Sequence, residues 1–356
     1  MIRVPARFLF ACSLLMLNAH LPVQAQSKLQ VKHRLQAGAE RDNNIFETPE
    51  SEVATLAGRF LYSNQLQKRW RHSALTIQYA GGLQIYPEFS EENKTVQDLS
   101  GSLRWQLSKH LSVVGQLRGN AKAYFDAPLD FAHSFSSLTL NALLTEKTVL
   151  SLLVSSSRLD YAEFDAFDYA NRQLGARLTR ALPGAMTIEG ALYFNRFNYL
   201  RKAYRLDRLA FNPVLEPLPF DQQDDQWHVQ VRLRFGRKYI LHFTGEYMHT
   251  DANSFGYSNE QARLSAIFGR KFGHDWLLRL AAMMQFKDYR ENIVPVIQRT
   301  LDPESDENNF IVADLSYNYT TRLTYLIRLA AYKNESALRG SFYRKLQLFI
   351  GAEYRF

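Results

Sequence analysis

The sequence predicts an all-β protein: a transmembrane, antiparallel, up-and-down β-barrel of about sixteen strands. Three observations lead there. Segments of about ten residues alternate apolar and polar with a period of two. The connections between them alternate short and long. The chain also carries 24 Phe, 19 Tyr and 4 Trp at a mean hydropathy of -0.30. That hydropathy argues against a bundle of spanning helices, each of which needs ~20 consecutive apolar residues. A hydrophobic content of 46% excludes disorder.

The first element is not part of the fold. Arg3 and Arg7 precede a largely apolar stretch from Phe8 to Leu21, and Val23-Gln24-Ala25 supplies small residues for cleavage. This reads as a secretory signal peptide over residues 1–25, leaving one domain over 26–356. The one cysteine of the sequence, Cys12, lies inside this leader. The mature chain would meet an oxidising compartment without disulfides.

The strands follow from alternation. Leu75, Ile77, Tyr79, Gly81, Leu83 and Ile85 form one set, with Thr76, Gln78, Ala80, Gly82 and Gln84 between them. The pattern returns at Leu99 to Leu107, Trp227 to Phe235, Tyr239 to Tyr247 and Phe342 to Phe356. Residues 276–284 and 323–332 carry consecutive apolar side chains that would also suit an amphipathic helix. They are assigned as strands because their neighbours are strands and a lone helix would leave a sheet edge open.

Short polar turns (67–72, 108–110, 146–147, 182–184, 236–238, 269–274, 320–322) alternate with longer, more acidic or Pro-bearing connections. The latter are 40–53, 87–95, 126–133, 162–168, 199–225, 250–258, 287–308 and 334–341. A soluble sandwich or propeller would also alternate along each strand, but gives no reason for turns to sort by length. Trp105, Phe125, Tyr161, Tyr169, Trp227, Phe235, Tyr239, Tyr247, Trp276, Phe286, Tyr289 and Phe310 stand near segment ends, as two interfacial girdles require.

With the apolar set facing lipid, the intervening set faces a lumen. It places Arg59, Arg104, Arg118, Lys122, Arg177, Arg232, Arg234, Arg263, Arg279, Arg328 and Lys345 there, against Glu189, Glu246, Asp314 and Glu353. Cationic rings of this kind favour anions in a pore. The segment 199–225, with Pro213, Pro217 and Pro219, reads as a long loop that either narrows the lumen or stays outside. The acidic run Asp302, Glu304, Asp306 and Glu307 reads as an external face that meets lipopolysaccharide through divalent cations.

The whole mature chain resembles bacterial outer-membrane β-barrels as a class, through the leader, the alternating strands, and a last strand ending in Leu348, Ile350, Ala352, Tyr354 and Phe356. The resemblance implies an outer-membrane location amid lipid and lipopolysaccharide, with Tyr354 and Phe356 as the signal presented to the barrel-assembly machinery. Gly38 to Phe46, containing Asp42-Asn43-Asn44-Ile45-Phe46, looks like the opening hairpin of porin-like barrels associated with exopolysaccharide export. It looks loosely like the barrel of surface-lipoprotein assembly modifiers too, but the repeat domain of that group has no counterpart here.

The function expected is passive diffusion of anionic or polar solutes, acidic saccharides among them, with no cofactor and no metal. A partner-dependent export barrel is the alternative. A third reading, an outer-membrane hydrolase, would have to use His242, His249, Asp251 and Ser254, whose spacing matches no catalytic pattern. No nucleic-acid motif is present.

Overall fold

In the computed structural model, residues 29–47, 52–207, 214–291, 308–334 and 343–356 are described. The leader at 1–25 and the acidic run at 302–307 lie outside them. Sixteen strands follow one another: β1 (Gln30–Asp42), β2 (Thr55–Arg69), β3 (Ser73–Ile85), β4 (Lys94–Gln106), β5 (Leu111–Tyr124), β6 (Phe131–Thr145), β7 (Thr148–Tyr161), β8 (Tyr169–Leu182), β9 (Met186–Asp207), β10 (Val214–Gly236), β11 (Tyr239–Ala252), β12 (Asn259–Phe272), β13 (Trp276–Tyr289), β14 (Asn308–Asn318), β15 (Leu323–Asn334) and β16 (Tyr343–Arg355). Each pairs antiparallel with its sequence neighbours, and β1 pairs with β16, which closes the barrel. Closure leaves no sheet edge, one of the two ways a backbone can satisfy its polar groups in hydrocarbon. The ambiguous segments 276–284 and 323–332 lie within strands β13 and β15.

The apolar alternation sets which face turns outward. Leu117 is 68% exposed, Ile311 65% and Leu174 61%, and with Leu103, Val231, Leu280, Leu329 and Ile350 they form the exterior. Most residues between them are polar or small and point inward. The logic of a soluble protein is thereby reversed, and the described residues contain no central apolar core. Among the described residues one cluster of buried apolar residues, Ile45, Ala57 and Tyr86 with Val53 and Phe89 against it, lies where two loops meet the wall. A charge at the middle of an outward face costs about 2–4 kcal/mol in lipid. Leu117→Arg is therefore expected to lose that much in denaturant titrations of vesicle-folded protein. A loss under ~1 kcal/mol would place Leu117 outside hydrocarbon.

The described parts of the segment 199–225, residues 199–207 and 214–225, are strand rather than loop. β9 and β10 run 22 and 23 residues, against 14 for β8 and β11, and carry their ladder far past their neighbours. Cross-strand pairs hold the extension: Lys202 Nζ to Asp221 at 2.8 Å and Arg205 Nη2 to Glu216 at 2.8 Å. Pro217 and Pro219 are accommodated by register shifts between Pro217 and Asp221 and on to Gln223, where a missing N–H costs the ladder least; Pro213 lies outside the described residues. Proline content suggested a loop; opposite charges in register overrode it.

The girdle also needs correction. Trp227 and Phe194 pack on the outer face with ring centroids 5.0 Å apart. Tyr169 instead alternates inward, against Phe197 at 5.5 Å and Tyr199 at 5.7 Å, and Tyr161, Tyr289 and Phe310 share that inward parity. Position near a strand end does not by itself give the face.

Candidate functional site

The inner wall is the one surface where this sequence concentrates convergent polar groups. The eleven cations singled out above all lie on the inward face, but most of them are engaged. Glu189 is shared by Arg232, Nη1 to Oε1 at 3.0 Å, and Arg177, Nε to Oε2 at 4.0 Å. Asp314 is shared by Arg328 at 2.6 Å and Arg279 at 3.9 Å. Arg263 donates to Gln285 at 2.9 Å and stands 3.6 Å from Glu246. Arg118 holds Asp98 at 2.6 Å, Arg59 pairs with Glu40, and Lys122 lies over the Tyr124 ring at 5.2 Å. Apart from Lys122 and Tyr124, two residues apart on β5, each of these pairs spans neighbouring strands, as cross-strand partners on one face must.

Lys345 is buried beside the first loop. Its Nζ is 3.0 Å from both Asp42 and Glu47, with Lys345 9% exposed and Asp42 fully buried. Around it Asn44 Nδ2 donates to the Arg344 carbonyl, Gln347 Nε2 to Asp42 Oδ2, and the Asn44 N–H to Asp42 Oδ1, each at 3.0 Å. The segment Asp42 to Phe46, noted for its resemblance, is thus a polar knot that ties the first loop to the last strand. Gln84 joins it to the next strands by donating to Glu40 at 2.8 Å and to the Tyr86 hydroxyl at 2.7 Å. Just beyond β3, burial pushes the Tyr86 phenol up, and Asp42 and Glu40 add to this. In the following loop, burial likewise raises the Glu92 carboxyl above the usual carboxylate range.

The inner acids number more than the sequence reading allowed. Glu189, Glu246, Asp314 and Glu353 are joined by Glu40, Asp42, Asp98 and Asp224, so the inward face carries twice the four carboxylates set against the eleven cations by the alternation. The same alternation would have found Asp98, which lies between Val96 and Ser100 on the inward set. Pairing fails at one end. Nearest the short turns, the inward residues Lys32, Arg69, Arg104, Arg234 and Lys271 make no ion pair or side-chain hydrogen bond among the described residues. Arg69 and Arg104 flank Ala74 in register, which leaves two guanidiniums facing one gap. The carboxylate at this level, Glu353, is held by Arg355 at 2.8 Å and Arg34 at 3.5 Å.

The last strand presents Tyr354 and Phe356 outward, their rings stacked 6.0 Å apart, with Phe356 also stacked on His33 of β1 at 5.2 Å. The residues of the hydrolase reading do not converge. His249 faces Glu260 at 3.5 Å and Arg290 at 3.0 Å, Asp251 faces Arg290 at 3.3 Å, and the buried Ser254 hydroxyl accepts from the Tyr204 N–H at 3.0 Å. His242 is an inward neighbour of Arg234. No cluster of metal-ligating side chains occurs among the described residues.

No protein-family model matches the sequence, and no curated protein matches it. Solved structures to which the chain is similar include OpdL of Pseudomonas aeruginosa, with 10% identity over 92% of this chain and 99% of that one and a TM-score of 0.46. OmpT of Vibrio cholerae has 8% identity over 95% and 100%, with a TM-score of 0.47. A bacterial polysaccharide outer membrane secretin has 8% identity over 92% and 98%, with a TM-score of 0.45. These likenesses concern the course of the chain, not an activity. On its own geometry, an even-stranded closed barrel with an apolar exterior and a polar interior, this chain has the architecture of a bacterial outer-membrane barrel of porin-like form.

Proposed function

We propose that the protein is an outer-membrane pore for passive diffusion of anionic or polar solutes, acidic saccharides included. The observation that carries this is the unpaired cationic collar at the short-turn end, which the outer-membrane architecture assigns to the periplasm. Cations already bonded to carboxylates contribute little net field. Arg104, Arg234, Arg69, Lys32 and Lys271 keep theirs, and a low-dielectric wall focuses it into the mouth. The solute partner is then an anion attracted by charge rather than recognised in a shaped pocket, and no covalent step is involved.

In planar bilayers under a salt gradient, the wild-type chain should give a reversal potential of the sign for anion preference. Arg104→Ser with Arg234→Ser should reduce the anion-to-cation permeability ratio at least two-fold, and more at low than at high salt because exposed charges are screened. Arg232→Ser should do less, since Arg232 is already committed to Glu189. An unchanged ratio in the double variant would sink the proposal.

The export reading has one observation in its favour. The short turns carry Arg71, Lys109, Lys147, Arg237, Lys238 and Arg322 against Glu146 and Asp275, whereas the described loops of the opposite rim carry Glu88, Glu91, Asp126, Glu163 and Asp165. Such polarity would draw an anion in from the periplasm and repel it outside. Block of conductance by an acidic oligosaccharide should then be stronger from the periplasmic side. Equal block from both sides would remove that reading.

A further inference from the structure

On the outer wall, three arginines stand together at the long-loop end of β7, β8 and β9. Arg158, Arg172 and Arg196 all share the outward parity of Val154, Leu174 and Phe194. Arg172 is the direct cross-strand partner of Arg196, and like charges directly opposite one another are destabilising. Arg196 is compensated by a two-pronged contact with Asp225, at 2.7 and 2.9 Å, and Arg158 by Asp160 at 2.7 Å. Arg172 is exposed and makes no hydrogen bond or ion pair among the described residues. Its position lacks a counter-anion.

The height of the patch says where that anion comes from. Immediately toward the middle of the wall lie Leu174 and the packed rings of Phe194 and Trp227, and the Arg196 guanidinium sits 5.8 Å above the Phe194 ring. An aromatic pair marks the hydrocarbon boundary, so the guanidiniums lie at the level of lipid headgroups, on the side away from the lumen. Beside them opens a cavity of about 560 Å³. Arg158, Ala170, Asn198, Leu200 and Phe220 contribute to its lining together with Asp160, Asp168 and Asp221, while Arg172 and Arg196 stand outside it. Ala170 is the register partner of both Arg158 and Asn198, and its small side chain makes the recess between them. The carboxylates and amides of this recess suit the hydroxyls of a sugar, and Leu200 and Phe220 suit an acyl chain leaving it.

We infer that this face binds a phosphorylated glycolipid of the outer leaflet, its phosphate on the Arg172 fork, with Arg196, whose Nε and Nη2 are held by Asp225, at its edge, and its sugar against Ala170. Guanidinium forks match phosphate oxygens two at a time, which an ammonium cannot do. The inference rests on the outer-membrane reading and is independent of conduction.

The test is titration of the full chain in detergent with diphosphorylated lipid A, with its dephosphorylated form, and with inorganic phosphate, followed by native mass spectrometry. The phosphorylated lipid should bind at least ten-fold more tightly than the dephosphorylated one. Arg172→Gln and Ala170→Leu should each lose about that factor, while Arg270→Gln, an outward arginine at the opposite end, should not. Equal binding of the two lipids, or indifference to Arg172→Gln, overturns the site. Full displacement of the lipid by millimolar inorganic phosphate overturns the lipid assignment. A chain that inserts into vesicles but fails these tests leaves the membrane reading standing; one that never inserts refutes that reading instead.

Discussion

Gly351→Ala is expected to leave most of the refolded chain without its compact, heat-modifiable form, whereas Gly115→Ala should refold like the wild type. Gly351 on β16 faces Gly38 on β1 across the seam that closes the barrel. A Cβ on Gly351 would lie 2.5 Å from both the Ala37 carbonyl oxygen and the Phe349 ring, and one on Gly38 would lie 2.4 Å from the Ile350 oxygen. The Phe349 ring, 3% exposed, covers both glycines on the inner face, and Arg59 caps it at 5.7 Å. An aromatic lying across a glycine pair packs a site that side chains of ordinary size would spread apart. Backbone cannot yield as a flexible side chain can, so the strands must separate. Nothing lies within 4 Å of a Cβ on Gly115, so that variant sets the baseline. Refolding yield on an unheated gel measures the effect, and equal yields for the two variants would contradict this account of closure.

Lys345→Met should be nearly as damaging. Removing one partner of a buried ion pair leaves the other charge unpaired, at about 3–5 kcal/mol. Here one ammonium serves both Asp42 and Glu47. The double variant Lys345→Met with Asp42→Asn should recover part of the loss, because neutral groups cost less to bury. Denaturant midpoints in vesicles give the comparison. A Lys345→Met midpoint equal to that of the wild type would mean the knot is open to water.

The strands were legible because lipid and water impose opposite demands on alternate residues, and that contrast survives in segments as ambiguous as 276–284. What was not legible is pairing between distant residues. Asp42 and Lys345 are some three hundred positions apart and meet only because β1 and β16 close the ring, so nothing local told Lys345 from a free pore cation. The 199–225 hairpin was hidden for a related reason: its prolines speak for a loop, while the cross-strand charges that hold it become visible only once the register is known. For Arg104 and Arg234 the alternation gave the face, but their lack of a carboxylate partner is a fact of three dimensions.

The account depends on adjacent residues of one strand meeting different solvents. Because the one cysteine of the sequence is Cys12, spin labels on Phe243→Cys and Thr244→Cys of β11 report this directly in vesicles. Phe243 is 42% exposed on the outer face, and Thr244 is the inward partner of Arg232. The label at 243 should be relaxed by oxygen dissolved in lipid and the label at 244 by a water-soluble nickel chelate. The reverse pattern, or equal access of the chelate to both, would contradict the inside-out barrel and its wet inner wall.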